Sequence, residues 1–336
     1  MRILFCQLKS YGDIIRTFKA IESVKKFYPD SFLAATCLDG MESVMKLCEC
    51  LDIVIPQRKL LCGDNLRVLD CSVLEESVLI SRNLNFDYYI DFNGVFQSAL
   101  FGSLSNIKKR FGPNKPSGKD GAYLFYTDLI NIDWKEVNRM QRHFNLCKEI
   151  FKDLEIESNT KINKNGSILI TPGTSEIGIY KRWTTEGYTY LIENILKNTE
   201  EVVEILIHKD ELDIGKDIFS NINNERCSLI EVDNFKDAFK IIEQCKCVIS
   251  TDSAYAHIAT VKDIPTFMIL GPTSIKENAP WDKLISSYSI NKQPCSPCNL
   301  WARRCKYNNI CMKNLDKVKV YNGFIQFYNR IKRGEL

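Results

Sequence analysis

The chain has 336 residues, of which 45% are hydrophobic, and a formal net charge of +3. That length holds two domains of ordinary size, and the small charge, without a basic stripe interleaved with aromatics, excludes a nucleic-acid-binding surface. No apolar run approaches the roughly 20 residues that span a bilayer. Met1–Lys9 has too short an apolar run, and no small-residue cleavage site, for a signal peptide; the expected location is the cytoplasm, with the 14 cysteines mostly reduced.

Arg2–Leu8 reads as a first buried strand, Lys9–Asp13 as a tight turn and Ile14–Phe27 as a helix. Asp13 then stands in a first helical turn, where the dipole favours a carboxylate, and capping alone would account for it. The alternation continues with a strand at Phe32–Thr36, a helix near Gly40–Glu49, a strand at Ile53–Ile55, a helix near Val73–Leu84 and a strand at Tyr88–Asp91. The segment from Gly112 to Asp128, rich in Gly, Pro and Lys, breaks the pattern and reads as an exposed loop. A helix over Asp133–Leu154 follows, and the polar, aperiodic stretch Glu155–Gly166 reads as a linker.

From Ser167 the alternation restarts: a strand at Ser167–Thr171, a helix near Glu186–Lys197, a strand at Val203–Ile207, a helix near Leu212–Ile222, a strand at Leu229–Val232 and a helix near Phe235–Cys245. The run Val248-Ile249-Ser250-Thr251-Asp252 is a strand ending on a carboxylate, a helix opens at Ser253, and Pro265–Leu270 is a second strand ending in Gly271-Pro272. Two successive βα alternations predict two Rossmann-like parallel-sheet domains, 1–160 and 166–320, with a terminal helix in 321–336 expected to cross back to the first domain.

The polar residues of the Asp252 unit collect at the C-terminal end of a strand, where ligands bind in open α/β sheets. A helix opening at Ser253 offers uncommitted backbone N–H groups and a positive dipole end, which suit a phosphate. Ser253 and His257, four apart, share a helix face. Read in isolation, Asp252 is equally well a helix cap, and His257 a satisfied core histidine.

Ser10-x-Gly12-Asp13, Pro172-Gly173 followed by Lys181-Arg182-Trp183, Asp252-Ser253-Ala254-x-x-His257 and Phe267-x-x-x-Gly271-Pro272-Thr273 resemble, in order and spacing, glycosyltransferase family 9, the ADP-heptose heptosyltransferases of bacterial surface glycans. Phe86–Gly94 followed by Ser98-Ala99-Leu100 is similar to the family's middle segment, so the resemblance covers nearly the whole chain. It implies the GT-B fold, α/β with the two domains facing a central cleft, and inverting transfer of heptose from ADP-heptose to a lipopolysaccharide core or related glycan or glycolipid acceptor. It also implies Asp13 as the base, Lys181 as the cation on the leaving diphosphate, and Thr171, Thr174, Asp252, Ser253, Ala254 and His257 as the rest of the donor pocket, with no cofactor required for the chemistry. Trp183 reads as a core anchor beside that site. Another nucleotide sugar as donor, or a non-catalytic nucleotide-sugar-binding protein of the same fold, are the alternatives. The sequence departs from the family at Lys181-Arg182-Trp183-Thr184, where Pro commonly follows Trp, and at Ile207–Glu211, which lacks a glycine the family often carries.

Cys295-x-x-Cys298, Cys305 and Cys311 have the knuckle spacing of a structural Zn or Fe site in their first pair, though not the usual second pair; a disulfide or free thiols are the alternatives. Their segment is basic through Arg303, Arg304 and Lys306. The runs Lys25-Lys26, Lys108-Lys109-Arg110 and Arg330–Arg333 read as solvated faces, or as contacts to an anionic acceptor or to the inner membrane surface at its periphery.

Overall fold

The computed structural model describes residues 1–60, 70–134, 136–155, 160, 162–279, 286–298 and 305–335. The chain divides into two compact units, Met1–Glu157 and Ser158–Leu336. In the first, β1 (Arg2–Cys6), β2 (Phe32–Leu38), β3 (Ile53–Gln57), β4 (Tyr88–Asp91), β5 (Lys109–Pro113) and β6 (Asp128–Ile130) form one sheet in the order β3-β2-β1-β4-β5-β6. Every neighbouring pair is parallel. In the second, β7 (Ile168–Thr171), β8 (Val203–His208), β9 (Cys227–Val232), β10 (Cys247–Thr251), β11 (Thr266–Leu270) and β12 (Ser286–Ile290) form a second parallel sheet in the order β12-β11-β10-β7-β8-β9.

Counted within each unit, both sheets read 3-2-1-4-5-6, the doubly wound order. Strand order reverses between β1 and β4 and again between β7 and β10, and at such a point the connections leave in opposite directions and open a crevice at the carboxyl ends of the strands. Helices on both faces explain why β1, β10 and β11 are continuous apolar runs with no alternation: Ile3, Leu4, Phe5 and Cys6 are buried, as is all of Cys247–Thr251 and Thr266–Leu270.

Three local expectations are corrected. The segment expected as an exposed loop from Gly112 to Asp128 begins within β5 and ends at β6; in the basic run before it, Lys108 and Lys109 are exposed, in keeping with a solvated face, while Lys109 and Arg110 belong to β5. Arg110 donates to the carbonyls of Ile107 (2.6 Å) and Phe125 (2.8 Å), and the Lys109 ammonium lies 5.3 Å from the centre of the Tyr88 ring. Strands at a sheet's margin carry Lys, Gly and Pro that a central strand would not, so periodicity passes over them.

The helix expected over Ile14–Phe27 starts earlier, because Ser10 takes the N-cap position and donates to Asp13, and it is broken into Tyr11–Ile15 and Phe18–Phe27 where the Thr17 hydroxyl and N–H both turn back to the Ile14 carbonyl. The helix expected over Asp133–Leu154 is confined to Arg139–Ile150, started by the Asn138 side chain accepting from Met140 N–H at 3.0 Å.

The terminal helix, Lys317–Arg333, is capped by Asp316 and packs against β11, β12 and the helix Thr185–Asn198. Its apolar face, expected to cross back to the first domain, is buried within the second unit: Val320, Phe324, Phe327, Tyr328 and Ile331 join the core around Phe267. The rings of Phe324 and Phe327 lie 5.8 and 6.0 Å from that of Phe267. Among the described residues, no helix is long and apolar enough to cross a membrane.

Candidate active site

In the first unit the chain leaves β1 at the switch point. The Gln7 side-chain amide donates to the Lys9 carbonyl (2.8 Å) and to Asn93 Oδ1 (2.9 Å), which also accepts from Leu8 N–H at 3.2 Å. Asn93 follows β4, whose last residue, Asp91, is fully buried and accepts from the N–H groups of Asn93 (2.8 Å) and Gly94 (3.0 Å) and from the Tyr126 hydroxyl (2.6 Å). Burial pushes the Asp91 carboxyl upward, with these hydrogen bonds opposing it. Side chains thus tie the two switch-point strands together and fix the turn that presents Asp13.

Asp13 lies in the first turn of Tyr11–Ile15. Its Oδ1 is 2.8 Å from Arg16 Nη1 and 3.3 Å from Arg139 Nη1, and its Oδ2 accepts from Ser10 Oγ at 3.2 Å. Burial raises its pKa, but Arg16, then Arg139 and His143, and the Ser10 N–H together outweigh burial and hold the carboxyl at about 2. His143 is buried edge-on against Phe92, 5.0 Å between rings, and burial, followed by the charge of Arg142, lowers its pKa well below the ordinary value. Asp13 is therefore a carboxylate throughout the physiological range.

The second unit repeats the plan. Thr171 ends β7 fully buried, its hydroxyl donating to Ser250 Oγ at 2.6 Å; Ser250 Oγ lies 3.0 Å from Ser253 Oγ. Thr171 therefore braces the strand ends from below. Ser253, not Asp252, caps the helix Ala254–Val261, accepting from Ala256 N–H at 3.5 Å, and Ala254 is the first helical residue. Asp252 is left to its side chain's own partners: Lys181 Nζ at 2.9 Å from Oδ2 and His257 Nε2 at 3.2 Å from Oδ1, while its carbonyl accepts from Lys181 at 3.2 Å. His257 is buried in this polar cluster, four residues along the capped helix from Ser253.

Thr174 is bound by Arg182, whose Nε donates to Thr174 Oγ1 at 3.0 Å and whose Nη2 donates to the Thr174 carbonyl. The same guanidinium lies 3.5 Å from Glu211. A Cβ at Gly173 would fall 2.0 Å from Glu211 Oε2, so the glycine is what admits that carboxylate. Trp183 is buried against Tyr188, 5.2 Å between rings, in the role of a core anchor. An ammonium beside a capped helix N-terminus at a sheet's switch point is suited to neutralising a diphosphate.

Five participants escape the sequence reading. Arg16 is one helical turn beyond Asp13 and Arg182 adjoins Lys181, so local spacing could have found both. Arg139, Asn93 and Glu211 reach the two clusters only through the fold.

The four cysteines gather at the same edge of the second sheet. A Cβ on Gly271, just beyond β11, would lie 2.3 Å from Met312 Sδ and 3.2 Å from Cys311 Sγ. Cys298 N–H donates to the Pro272 carbonyl at 3.1 Å; Cys305 Sγ accepts from Asn309 N–H at 3.3 Å, and Cys311 Sγ donates to Asn309 Oδ1 at 3.6 Å. Burial first, then Cys298, Cys305 and Cys295, push the Cys311 thiol up to about 11. All four are free thiols, and among the described residues no group of three or more His, Cys, Asp or Glu side chains stands ready to hold a metal ion. Arg303 and Arg304 lie outside the described residues.

Residues 81–309 match glycosyltransferase family 9 (heptosyltransferase). Lipooligosaccharide heptosyltransferase 2 of Campylobacter jejuni subsp. jejuni serotype O:6 is 28% identical over 244 residues, covering 70% of this chain and 73% of that protein. Lipopolysaccharide heptosyltransferase 1 of Campylobacter coli is 24% identical over 310 residues, covering 83% and 86%. The fold is shared with E. coli heptosyltransferase WaaC, solved with ADP-2-deoxy-2-fluoro heptose, at a TM-score of 0.71 and 16% identity over 98% and 99% of the two chains. The family match runs through both units and well over half of the sequence, and it includes β4, β7, β10 and the segments after β7 and β10 that carry Lys181, Asp252 and His257: the chain belongs to glycosyltransferase family 9.

Proposed function

We propose that the protein is an inverting, metal-independent glycosyltransferase that moves heptose from ADP-heptose onto a lipopolysaccharide core or a related surface glycan. The observation that carries this reading is the Lys181–Asp252–His257 cluster beside the capped helix Ala254–Val261, a diphosphate-binding arrangement at the second sheet's switch point. The names of the two Campylobacter relatives, both heptosyltransferases, support heptose as the sugar.

In this mechanism an acceptor hydroxyl attacks the anomeric carbon, the bond from that carbon to the diphosphate oxygen breaks, and ADP leaves with the electron pair. Asp13 takes the hydroxyl proton. Lys181 and the helix N–H groups stabilise the negative charge growing on the leaving diphosphate, the task a metal performs elsewhere. Asp252 holds the Lys181 ammonium and His257 in place and presents its remaining lone pairs to the sugar, Ser253 and Ala254 open the phosphate-binding helix end, and Thr171 and Thr174 set the floor and rim of the pocket. A single displacement at carbon inverts the anomeric configuration. The nucleotide sugar is a cytoplasmic donor, and a glycolipid acceptor brings the enzyme to the inner membrane surface.

The test is nucleotide release from a panel of sugar donors with acceptor glycans supplied, followed by NMR of the product linkage. Turnover of ADP-heptose with an inverted linkage is expected. Turnover of a different donor alone would transfer the reading to another nucleotide sugar, which the missing glycine at Ile207–Glu211 would then explain. Release from no donor would leave a binding protein, and a retained linkage would refute the single displacement.

A structural Zn or Fe on Cys295, Cys298, Cys305 and Cys311 is the second part of the proposal. The thiols lie close enough to act on one another electrostatically, and a cation would reverse the rise at Cys311 by favouring the thiolate. About one metal per chain in purified protein, whose removal lowers the melting temperature, is the expected result; metal-free protein of unchanged stability excludes it.

A further inference from the structure

The two arginines on Asp13 are not equivalent. Arg16 comes from the next turn of the same segment, 2.8 Å away and 7% exposed, so its place is set by local backbone geometry. Arg139 comes from the start of a different helix, its contact is longer at 3.3 Å, and it is 19% exposed. The Asp13 carboxylate itself keeps 27% of its surface. His143 on the Arg139 helix also acts on it, with Arg142 beside His143.

A carboxylate paired with two guanidinium groups is a poor proton acceptor, because protonation sacrifices both ion pairs. The site therefore holds its base in a stabilised, weakly basic form while no acceptor is present. The longer, more exposed contact, made from a separate element, is the one an incoming anion can take over.

We propose that Arg139 is an acceptor-sensing gate: an anionic group on the acceptor, carboxylate or phosphate, draws the Arg139 guanidinium from Asp13 and so frees Asp13 to take the proton of the neighbouring hydroxyl. This deepens the proposed function and rests on its assignment of Asp13 as the base. It makes Arg139 a determinant of acceptor choice, since a neutral acceptor would leave the base restrained. By linkage, Asp13 and the anion compete for one guanidinium, and each weakens the other's hold by the same factor.

Competition can be read without donor or acceptor. Inorganic phosphate and, separately, acetate are titrated calorimetrically into the full chain at pH 7 and constant ionic strength, using wild type, Asp13→Asn, Asp13→Asn with Arg139→Gln, and Asp13→Asn with Arg139→Lys. Asp13→Asn keeps the shape and removes the competing charge, so at least one anion should bind about fivefold or more tightly, the lower end of typical coupling between sites. Arg139→Gln should erase the gain, and Arg139→Lys should keep part of it, which a merely structural role for Arg139 would not do. A gain with phosphate alone points to a phosphorylated acceptor, with acetate alone to an acidic sugar, and with both to recognition of negative charge. Folded Asp13→Asn that binds neither anion more tightly than wild type, or a gain that survives Arg139→Gln, overturns the gate. Failure of the donor panel would instead sink the transferase reading and leave this measurement standing.

Discussion

Replacing Asp13 with Asn tests the site through both stability and turnover. The carboxyl is held at about 2 against an ordinary 3.8; at 1.36 kcal/mol per pKa unit this is at most about 2.4 kcal/mol of stabilisation from the ionised form. Residual exposure of the side chain brings the expected cost of Asp13→Asn at pH 7 to about 1–2 kcal/mol. The folded-state pKa is depressed, so the contribution is fully present above the unfolded value near 4 and is lost as pH falls toward 2. About half should remain at pH 3. Urea unfolding of wild type and Asp13→Asn at pH 7, 4 and 3 measures this difference, followed on the transition of the first unit. Over the same comparison turnover should fall about 10²-fold or more while donor affinity is nearly kept, as for removal of a general base. A pH-independent cost, or a stabilised Asp13→Asn, would mean that Arg16 and Arg139 do not hold the carboxylate. Unchanged turnover would remove Asp13 from the chemistry.

On the donor side, Lys181→Ala, Asp252→Ala and His257→Ala should each weaken donor binding or turnover in a folded protein, as judged by calorimetry and circular dichroism; loss of the fold in all three would make them core residues instead. Gly173→Ala forces Glu211 away from a Cβ that would sit 2.0 Å from its Oε2, so donor KM should rise several-fold, and Glu211→Ala in the same chain should restore it by vacating the space. Absence of that rescue would show that the glycine answers to something other than Glu211. Phe324→Ala empties a fully buried ring position beside Phe267 and Tyr328 and should cost about 3–5 kcal/mol in urea unfolding of the second unit. A loss below about 1 kcal/mol would mean that the terminal helix contributes little to that core.

The sequence by itself determined the class of fold and the strand-to-helix junctions at which the candidate site residues stand. Fully buried parallel strands such as Ile3–Cys6 and Thr266–Leu270 are continuous apolar runs because helices cover both faces, and the polar residues that interrupt such runs at their ends, Asp13, Thr171 and Asp252, necessarily fall where strands give way to helices. Local chemistry therefore disclosed them. It could not disclose β5 with its Lys, Gly and Pro, β6 with only three residues, or β12 with its serines, nor the division of roles at Ser253 and Asp252, since either residue type caps a helix. The choice was made by Lys181, which arrives from the helical turn Glu176–Lys181 beyond β7 and engages the Asp252 carboxylate. Arg139 is 126 residues from Asp13 in sequence, Asn93 braces the turn from β4, and Glu211 enters a space left by Gly173. These contacts arise because parallel strands distant in sequence bring their carboxyl ends to one edge at the switch point. The sequence supplied the charges, and only the tertiary structure decided which of them face one another, and so which carboxylate is held ionised between two arginines and which is paired with the lysine.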